Sequence, residues 1–418
     1  MCTDRYAEAF DPTQFSLSNV DLFPDPYPAY TYLRDHDPVH HSQMYGGSWA
    51  LFAYEDVEAM LTDDRLTNNR AELPLKALPF EQRAEFADLA PMLAHWVAFF
   101  DGNAHMVRRR HMNHVFRTLT TDFLPPVIER SVRRLLDAWG SQADVIADFS
   151  RPLPAMVITE LLGAPVSDHT RLAAWSDAIA YLFGASALTV EDVRRGRDAA
   201  LELAQYLSDL VRAQIRSGEE GLLGNLVAEE TEGFRFTPDS AAAQGMLLMF
   251  AGLEPTRYLI GNAVWSLQRN PGQRQLLRAD LALMPMAVEE FLRYDTPVQF
   301  IGRTAARSFT YKGHSIEQGQ VVLLFAASAN RDSARFTDPE VLDLERRPNR
   351  HLSFGHGPHA CIGALIVRLQ TTIALRELLS RFPDLAVREG LGPVWNNNLG
   401  FHGPTSLPVD TGLERKTR

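Results

Sequence analysis

The chain has 418 residues, a formal net charge of −11 and 45% hydrophobic residues. This acidic balance argues against general nucleic-acid binding, which needs a positive surface. The two cysteines, Cys2 and Cys361, are too few for a disulfide framework. The longest apolar run is far shorter than the ~20 residues that a membrane span needs. No apolar segment typical of a signal peptide follows Met1. We therefore expect one cytoplasmic domain over residues 1–418, with loosely ordered ends at about 1–15 and 411–418.

The hydrophobic pattern predicts a mainly α fold with a minor β part. Residues 20–65 combine proline-rich turns with a short hairpin around 48–53. A second strand region is predicted at 307–322, and another near the C-terminus. Helical periodicity dominates from about 103 to 290, where apolar residues recur at a spacing of three to four in the segments 127–139, 156–162, 171–182 and 190–216.

The longest predicted helix has clear signals at both ends. Thr237 and Pro238 supply an N-cap and a first-turn proline, and the pair Asn270-Pro271 closes the helix. About 30 residues at a rise of about 1.5 Å give roughly 45 Å, enough to cross the whole domain. The apolar stretch 246–253 predicts that this helix is buried.

A glycine-rich loop with one cysteine precedes the last apolar helix. Residues 354–363 read Phe-Gly-His-Gly-Pro-His-Ala-Cys-Ile-Gly, and the glycines and proline fix the turns. Backbone amides at the start of the following helix would face the Cys361 sulfur, which lowers the pKa of a thiol and suits a ligand of haem iron. Two alternatives remain: Cys361 is a small buried apolar side chain, or it joins His356 and His359 in a zinc site that lacks a fourth ligand at a plausible spacing.

The spacing aromatic-Gly-x-Gly-x-His-x-Cys-x-Gly resembles the haem-binding signature of the cytochrome P-450 superfamily. With the motifs described next, the resemblance covers about residues 20–410. It implies a soluble, bacterial-type enzyme with a single mainly α domain and the long helix over a haem b. Cys361 would be the axial iron ligand, and Phe354, Gly355 and Gly363 would shape the cofactor loop.

Glu290 and Arg293 match the Glu-x-x-Arg motif of the superfamily. Their spacing alone predicts no more than a routine surface ion pair on one helix face. The resemblance implies instead a buried pair that anchors the loop before the cysteine, with Asp343 and Arg346 in the same neighbourhood.

His105 and Arg109 are similar to the His-x-x-x-Arg motif of the helix that contacts a haem propionate, although the usual Pro-Pro-Glu before the histidine is absent. The resemblance implies Arg303 and His359 as the remaining propionate partners. Two carboxylates buried beside apolar rings need fixed cations, and these four residues would supply them.

The middle of the long helix departs from the superfamily. Residues 251–256 read Ala-Gly-Leu-Glu-Pro-Thr, where the superfamily places a threonine directly after the acid, its hydroxyl holding water beside the iron. Pro255 lacks an amide hydrogen and clashes with the Ala251 carbonyl, so the kink should survive without the hydroxyl. Thr256 is turned about 100° away. We expect protons to arrive through water at the Ala251 carbonyl, through Glu254 or from a substrate group; the alternative is a functionally neutral kink.

The resemblance implies a monooxygenase that oxidises a bulky hydrophobic or aromatic small molecule in secondary metabolism, such as antibiotic biosynthesis. Electrons would come from NAD(P)H through a ferredoxin reductase and a ferredoxin. The missing alcohol leaves open peroxide-driven oxidation or oxidative ring coupling or cyclisation, and a non-catalytic haem-thiolate sensor is a more remote alternative. The resemblance also implies the residues that line the pocket. They are Trp96, Val97, Phe99, Phe100, Leu182, Phe183, Phe250, Leu253, Glu254, Val298, Phe300, Ile301 and residues 399–401.

Basic residues are concentrated near the expected cysteine side of the molecule. They either face solvent and neutralise haem propionates, or they form a docking patch for an acidic electron-transfer protein. These residues are Arg108, Arg109, Arg110, His111, Arg117, Arg346, Arg347 and Arg350.

Overall fold

The structure is a computed structural model that describes residues 17, 23–120, 123–185, 188–218 and 221–413. The expected loose ends at 1–15 and 414–418 lie outside the described residues. Thr411, where the second of these ends was expected to begin, is buried, and its Oγ1 donates a hydrogen bond of 2.7 Å to the Gly140 carbonyl. The ordered fold therefore extends at least to this residue.

Helices make up most of the described fold. They are α1 (Tyr27–His36), α2 (Tyr54–Met60), α3 (Leu73–Lys76), α4 (Leu89–Leu93), α5 (Gly102–Thr120), α6 (Leu124–Asp137), α7 (Pro152–Leu161), α8 (His169–Gly184), α9 (Val190–Ser217), α10 (Leu222–Ala228), α11 (Pro238–Arg269), α12 (Pro271–Ala279), α13 (Met284–Tyr294), α14 (Ala326–Ala329) and α15 (Ala364–Arg381). The four predicted helical segments overlap α6, α7, α8 and α9, which confirms them. None of the described helices is both long enough and apolar enough to cross a membrane.

The longest predicted helix is confirmed as α11, which has 32 residues. Thr237 and Ser240 form a reciprocal capping box at its start, with Pro238 in the first turn, where an amide donor is not needed. Asn270 ends the helix. Because most of its surface is buried against α7, α8, α9 and α15, α11 forms the centre of the core.

The described strands form small sheets beside the helices. They are β1 (Val39–Ser42), β2 (Ser48–Leu51), β3 (Leu66–Thr67), β4 (Gln142–Asp144), β5 (Ile301–Ala305), β6 (Phe309–Tyr311), β7 (His314–Ile316), β8 (Val321–Leu324), β9 (Ala386–Val387), β10 (Val394–Trp395), β11 (Pro404–Ser406) and β12 (Pro408–Asp410). The segment 48–53, predicted to be a hairpin by itself, contains only β2, whose antiparallel partner β1 lies earlier in the chain. The predicted region 307–322 contains β6, β7 and the start of β8. The mainly α class with a minor β part is therefore confirmed.

The largest of these sheets has the strand order β1-β2-β8-β5-β3, in which β2 and β8 are parallel and the other pairs antiparallel. β8 lies between two strands and is buried along its whole length, which explains its continuous apolar sequence. The neighbouring strand β5 carries Arg303, so this sheet brings one predicted site residue to the helical core.

Candidate functional site

The cysteine loop (354–363) and the middle of α11 line one cavity of about 340 Å³. Cys361 belongs to the loop side of its wall, and Ala251 and Pro255 belong to the α11 side. The sequence predicted that Cys361, Ala251 and Pro255 belong to one site, and in the structure all three line the same cavity.

Backbone hydrogen bonds fix the position of Cys361. Its amide donates to the Phe354 carbonyl at 2.8 Å, and Gly355 has a φ of 68°, a left-handed conformation that favours glycine. The backbone amides of Gly363 and Ala364 act on the Cys361 sulfur and lower the pKa of its thiol. The start of α15 therefore faces the thiol, as the sequence predicts.

The pKa of the Cys361 thiol reflects opposing contributions. Burial raises the pKa of the thiol, whereas the two backbone amides, Arg109 and Arg368 lower it. The amides therefore act in the predicted direction, and the opposing contribution is desolvation of the thiol. Direct metal ligation is the usual way in which a protein holds such a thiol as a thiolate.

The zinc interpretation of His356, His359 and Cys361 does not fit the geometry. The His359 ring stacks on His105 with 3.7 Å between ring centroids. Over the described ranges, no group of three His, Cys, Asp or Glu side chains is arranged to hold a metal ion, whereas structural zinc requires four ligands. Cys361 is therefore a single sulfur donor.

Cationic and imidazole side chains gather at another part of the same cavity wall. Burial lowers the pKa of Arg303 to about 9 and that of Arg70 to about 10. Neither guanidinium forms an ion pair with a carboxylate of the described residues, so an anionic ligand group would stabilise both. The full set is Arg70, His105, Arg109, Arg303 and His359.

These donors fit a haem. A cysteine sulfur is a suitable axial ligand for haem iron, and buried cations suit its two propionates. The four predicted partners, His105, Arg109, Arg303 and His359, all line the cavity. Sequence reasoning missed Arg70, because a lone arginine after two asparagines has no distinguishing pattern.

The Glu290–Arg293 pair is buried, as the resemblance implied. Arg293 donates from Nε and Nη2 to the two carboxylate oxygens of Glu290 at 2.8 Å each, and both side chains are about fully buried. Arg346 and Asn349 also donate to this carboxylate, at 3.2 and 3.1 Å. The amide of Asp343 donates to it at 2.9 Å. Arg346 therefore stabilises the segment before the cysteine loop and does not belong to an exposed docking patch.

The structure separates the predicted proton-delivery residues. Ala251 and Pro255 line the cavity, whereas Glu254 and Thr256 are absent from its lining. Glu254 is buried and accepts a hydrogen bond of 2.6 Å from Arg257, and burial raises the pKa of its carboxyl to about 8. The hydroxyl of Thr256 donates to the Gly252 carbonyl at 3.0 Å. Each group thus has a hydrogen-bond partner on α11 and neither lines the cavity, although Oε1 of Glu254 has no such partner.

The remaining wall is apolar and largely aromatic. Trp96, Phe100, Leu182, Leu253 and Leu399 were expected there but do not line the cavity; Trp96 stacks behind Phe250 with 5.3 Å between centroids. Predicted residues that do line it are Val97, Phe99, Phe183, Phe250, Val298, Phe300, Ile301, Gly400 and Phe401.

Sequence reasoning also missed part of the α11 wall. Leu247 and Leu259 line the cavity together with Ala251 and Pro255. These four residues follow one another at a spacing of four, which places them on one face of a helix. The signal was present in the sequence, but α11 is apolar on most sides, so the face could not be selected without the fold.

Comparisons with known proteins agree with this site. The family model described as Cytochrome P450 matches residues 191–390. Polyketide biosynthesis cytochrome P450 PksS of Bacillus subtilis (strain 168) is 32% identical over 399 residues, covering 92% of this chain and 95% of the relative. Vitamin D(3) 25-hydroxylase of Pseudonocardia autotrophica is 34% identical over 407 residues, covering 96% and 97%.

A solved structure shares the same fold. P450BioI in complex with an acyl carrier protein ligated to hexadec-9Z-enoic acid has a TM-score of 0.85 and 31% identity, covering 94% of this chain and 100% of that chain. Both the matched length and the arrangement of the cysteine loop, α11 and the buried Glu290–Arg293 pair point to one assignment. The chain belongs to the cytochrome P450 family.

Proposed function

We propose that Cys361 is the axial thiolate ligand of a haem b whose propionates are bound by His105, Arg109, Arg303 and His359. The observation that carries this proposal is the position of Cys361, whose amide is hydrogen-bonded to the Phe354 carbonyl and which lines one cavity together with α11 and these four side chains. When bound, a haem-thiolate activates O2 with two electrons and two protons, so that one oxygen atom enters the substrate and the other leaves as water.

As a member of this family, the protein is an oxidoreductase of the monooxygenase type. We propose that its substrate is a bulky hydrophobic or aromatic small molecule of secondary metabolism. Four phenylalanines, Phe99, Phe183, Phe250 and Phe401, contribute to the cavity wall, and such walls bind apolar ligands by shape and by exclusion of water. The similarity to a polyketide-biosynthesis P450 supports the metabolic setting.

We propose that the Ala251 carbonyl holds the water that delivers protons to the reaction. Pro255 has no amide hydrogen, so this carbonyl does not receive the helical hydrogen bond that residue 255 would normally donate. Both residues line the cavity. Glu254 and Thr256 are less suitable, because Arg257 and the Gly252 carbonyl already engage them. A polar group of the substrate is the remaining proton source in this proposal.

The engaged Thr256 hydroxyl also favours a second candidate function. An enzyme without an alcohol at the reaction site is suited to peroxide-driven oxidation, because hydrogen peroxide already carries the two electrons and two protons that O2 would have to receive. Oxidative ring coupling or cyclisation is the other form of this candidate, with the substrate's own polar groups as the proton source. This candidate keeps the same cofactor and cavity and differs in the oxidant or the product.

We propose that electrons come from NAD(P)H through a ferredoxin reductase and a ferredoxin, with all components in the cytoplasm. The exposed side chains of Arg117, Arg347 and Arg350 are suited to an acidic partner. Arg109 and Arg346 are not part of this surface, because the first faces the cavity and the second contacts Glu290.

Turnover under isotopically labelled O2 tests this function. Apolar probes, beginning with vitamin D3, would first be screened for a low-spin to high-spin shift of the Soret band, and those that bind would then be incubated with ferredoxin, reductase and NADPH. The proposal predicts a product with one labelled oxygen atom. Turnover with peroxide alone, or a product without added oxygen, would favour the second candidate. If no apolar probe shifts the spin state, the proposed substrate class is wrong.

A further inference from the structure

Two guanidinium groups from distant parts of the chain converge on one carbonyl oxygen at the cavity wall. Nη1 of Arg303, on β5, donates to the Gly302 carbonyl at 2.9 Å. Nη1 of Arg70, from the loop after β3, donates to the same oxygen. Both side chains line the cavity, so their charges lie side by side and face the same space.

The carboxylate that acts electrostatically on these two charges, Asp101, is already engaged by other donors. Asp101 attracts both Arg70 and Arg303 through space, but it forms an ion pair with neither. Its oxygens accept hydrogen bonds from the Thr67 hydroxyl and from the amide and side chain of Asn68. The proximity of Arg70 lowers the pKa of Arg303 further. Two adjacent like charges inside a fold repel each other, and an anion between them relieves the repulsion.

The surroundings of Arg70 are shaped to hold it in this position. A Cβ atom at Gly302 would lie 3.2 Å from Cδ of Arg70, closer than such atoms normally approach. The φ angle of Gly302 is outside the left-handed range, so the glycine here provides room for the arginine. The Arg70 guanidinium also lies 5.3 Å from the ring centroid of Phe99, within the range of a cation–π contact.

We propose that Arg70 and Arg303 together form a carboxylate clamp, in which Arg70 is a binding residue additional to the four propionate partners named above. The proposal rests on the proposed haem site. Each guanidinium presents a planar pair of donors that matches the two oxygens of a carboxylate. That carboxylate belongs either to a haem propionate or to the substrate, and the two sources have different experimental consequences.

The experiment compares holoenzymes carrying Arg70→Gln, Arg70→Lys and Gly302→Ala. Arg307→Gln is the matched control, because Arg307 is an exposed arginine of the same region that pairs with Asp64 outside the cavity. Two quantities are measured: the rate of haem transfer to excess apomyoglobin, and the affinities for dodecanoic acid and 1-dodecanol from the Soret spin shift.

If the clamp binds a propionate, Arg70→Gln transfers haem about tenfold faster than the wild type, and its relative affinities for the two probes are unchanged. If the clamp binds a substrate carboxylate, haem transfer is unchanged, and Arg70→Gln binds dodecanoic acid about tenfold more weakly while 1-dodecanol binding is unchanged. In either case Arg70→Lys retains part of the function, and Gly302→Ala shows a smaller change in the same direction.

The clamp is refuted if neither quantity differs among Arg70→Gln, Gly302→Ala and the Arg307→Gln control. Should Arg70→Gln fail to fold, Gly302→Ala retains the arginine and still tests its position. Failure of the proposed haem site is recognised separately, because the wild-type protein would then show neither a Soret band nor a haem to transfer.

Discussion

The buried pair Glu290–Arg293 allows a stability prediction with a magnitude. Arg293 is 0% exposed and makes two hydrogen bonds of 2.8 Å to the Glu290 carboxylate. It also donates to the carbonyls of Asn330, Pro339 and Val341, at 2.8 to 3.1 Å. One side chain thus links α13 to the segment before the cysteine loop.

Arg293→Met removes this cation and leaves the Glu290 carboxylate buried, with Arg346 at 3.2 Å as its remaining ion-pair partner. Breaking a buried ion pair costs about 3–5 kcal/mol, and domain stabilities are about 5–15 kcal/mol. We therefore expect the free energy of unfolding in urea, followed by far-ultraviolet circular dichroism at pH 7, to fall by about 3–5 kcal/mol. The Soret band should be lost at a lower urea concentration than in the wild type.

Arg381→Met is the matched control, because Arg381 forms partly exposed ion pairs with Asp137 and Glu377. Partly exposed pairs contribute about 0–1 kcal/mol, so this variant should unfold close to the wild type. Equal losses of unfolding free energy in Arg293→Met and Arg381→Met would refute the argument that the Glu290–Arg293 pair contributes more to stability because it is buried.

Three further changes test the α11 side of the cavity. Pro255→Thr introduces a hydroxyl at a position of α11 that lines the cavity and should raise the amount of product formed per NADPH consumed; unchanged coupling would count against a proton-delivery role for this position. The pKa of Glu254 is raised by burial to about 8 from an ordinary value of 4.5, so the folded state keeps a proton that the unfolded state releases. The stability contributed by protonated Glu254 is complete below about pH 4.5 and is lost as the pH rises to about 8. Between pH 5 and 8 the free energy of unfolding of the wild type should therefore fall relative to that of Glu254→Gln, by at most about 1.4 kcal/mol per pH unit. A difference between the two proteins that stays constant over this range would contradict the raised pKa of Glu254. Phe250→Ala removes an aromatic ring from the cavity wall and should weaken binding of vitamin D3, measured by the spin shift, about tenfold; equal or tighter binding would mean that the ring does not contact the probe.

Local signals predicted much of the fold. The caps at Thr237 and Asn270 gave the bounds of α11, because capping depends on residues next to one another in the chain. The glycines before Cys361 likewise specify a loop conformation from a few adjacent residues. The resemblance to the superfamily assigned His105 and Arg303 to one site, and both line the cavity.

The features that the sequence did not reveal depend on contacts between distant residues. Arg70 meets Arg303 only because β3 pairs with β5, and no local pattern marks that meeting. The desolvation that opposes the amides at Cys361 depends on packing around the whole loop, which the local pattern does not show. Glu254 was a reasonable proton relay by position, but Arg257, one helical turn later, engages it away from the cavity.

The absorption spectrum of the reduced, CO-bound protein tests the central claim, ligation of haem iron by the Cys361 thiolate, most directly. The account predicts a Soret band displaced to the red, as thiolate ligation produces, in the wild type and in Cys2→Ser, which changes the only other cysteine of the sequence. Cys361→Ser should lose this band while retaining the helical content of the wild type. A red-displaced band that persists in Cys361→Ser, or its absence from the haem-loaded wild type, would contradict the account.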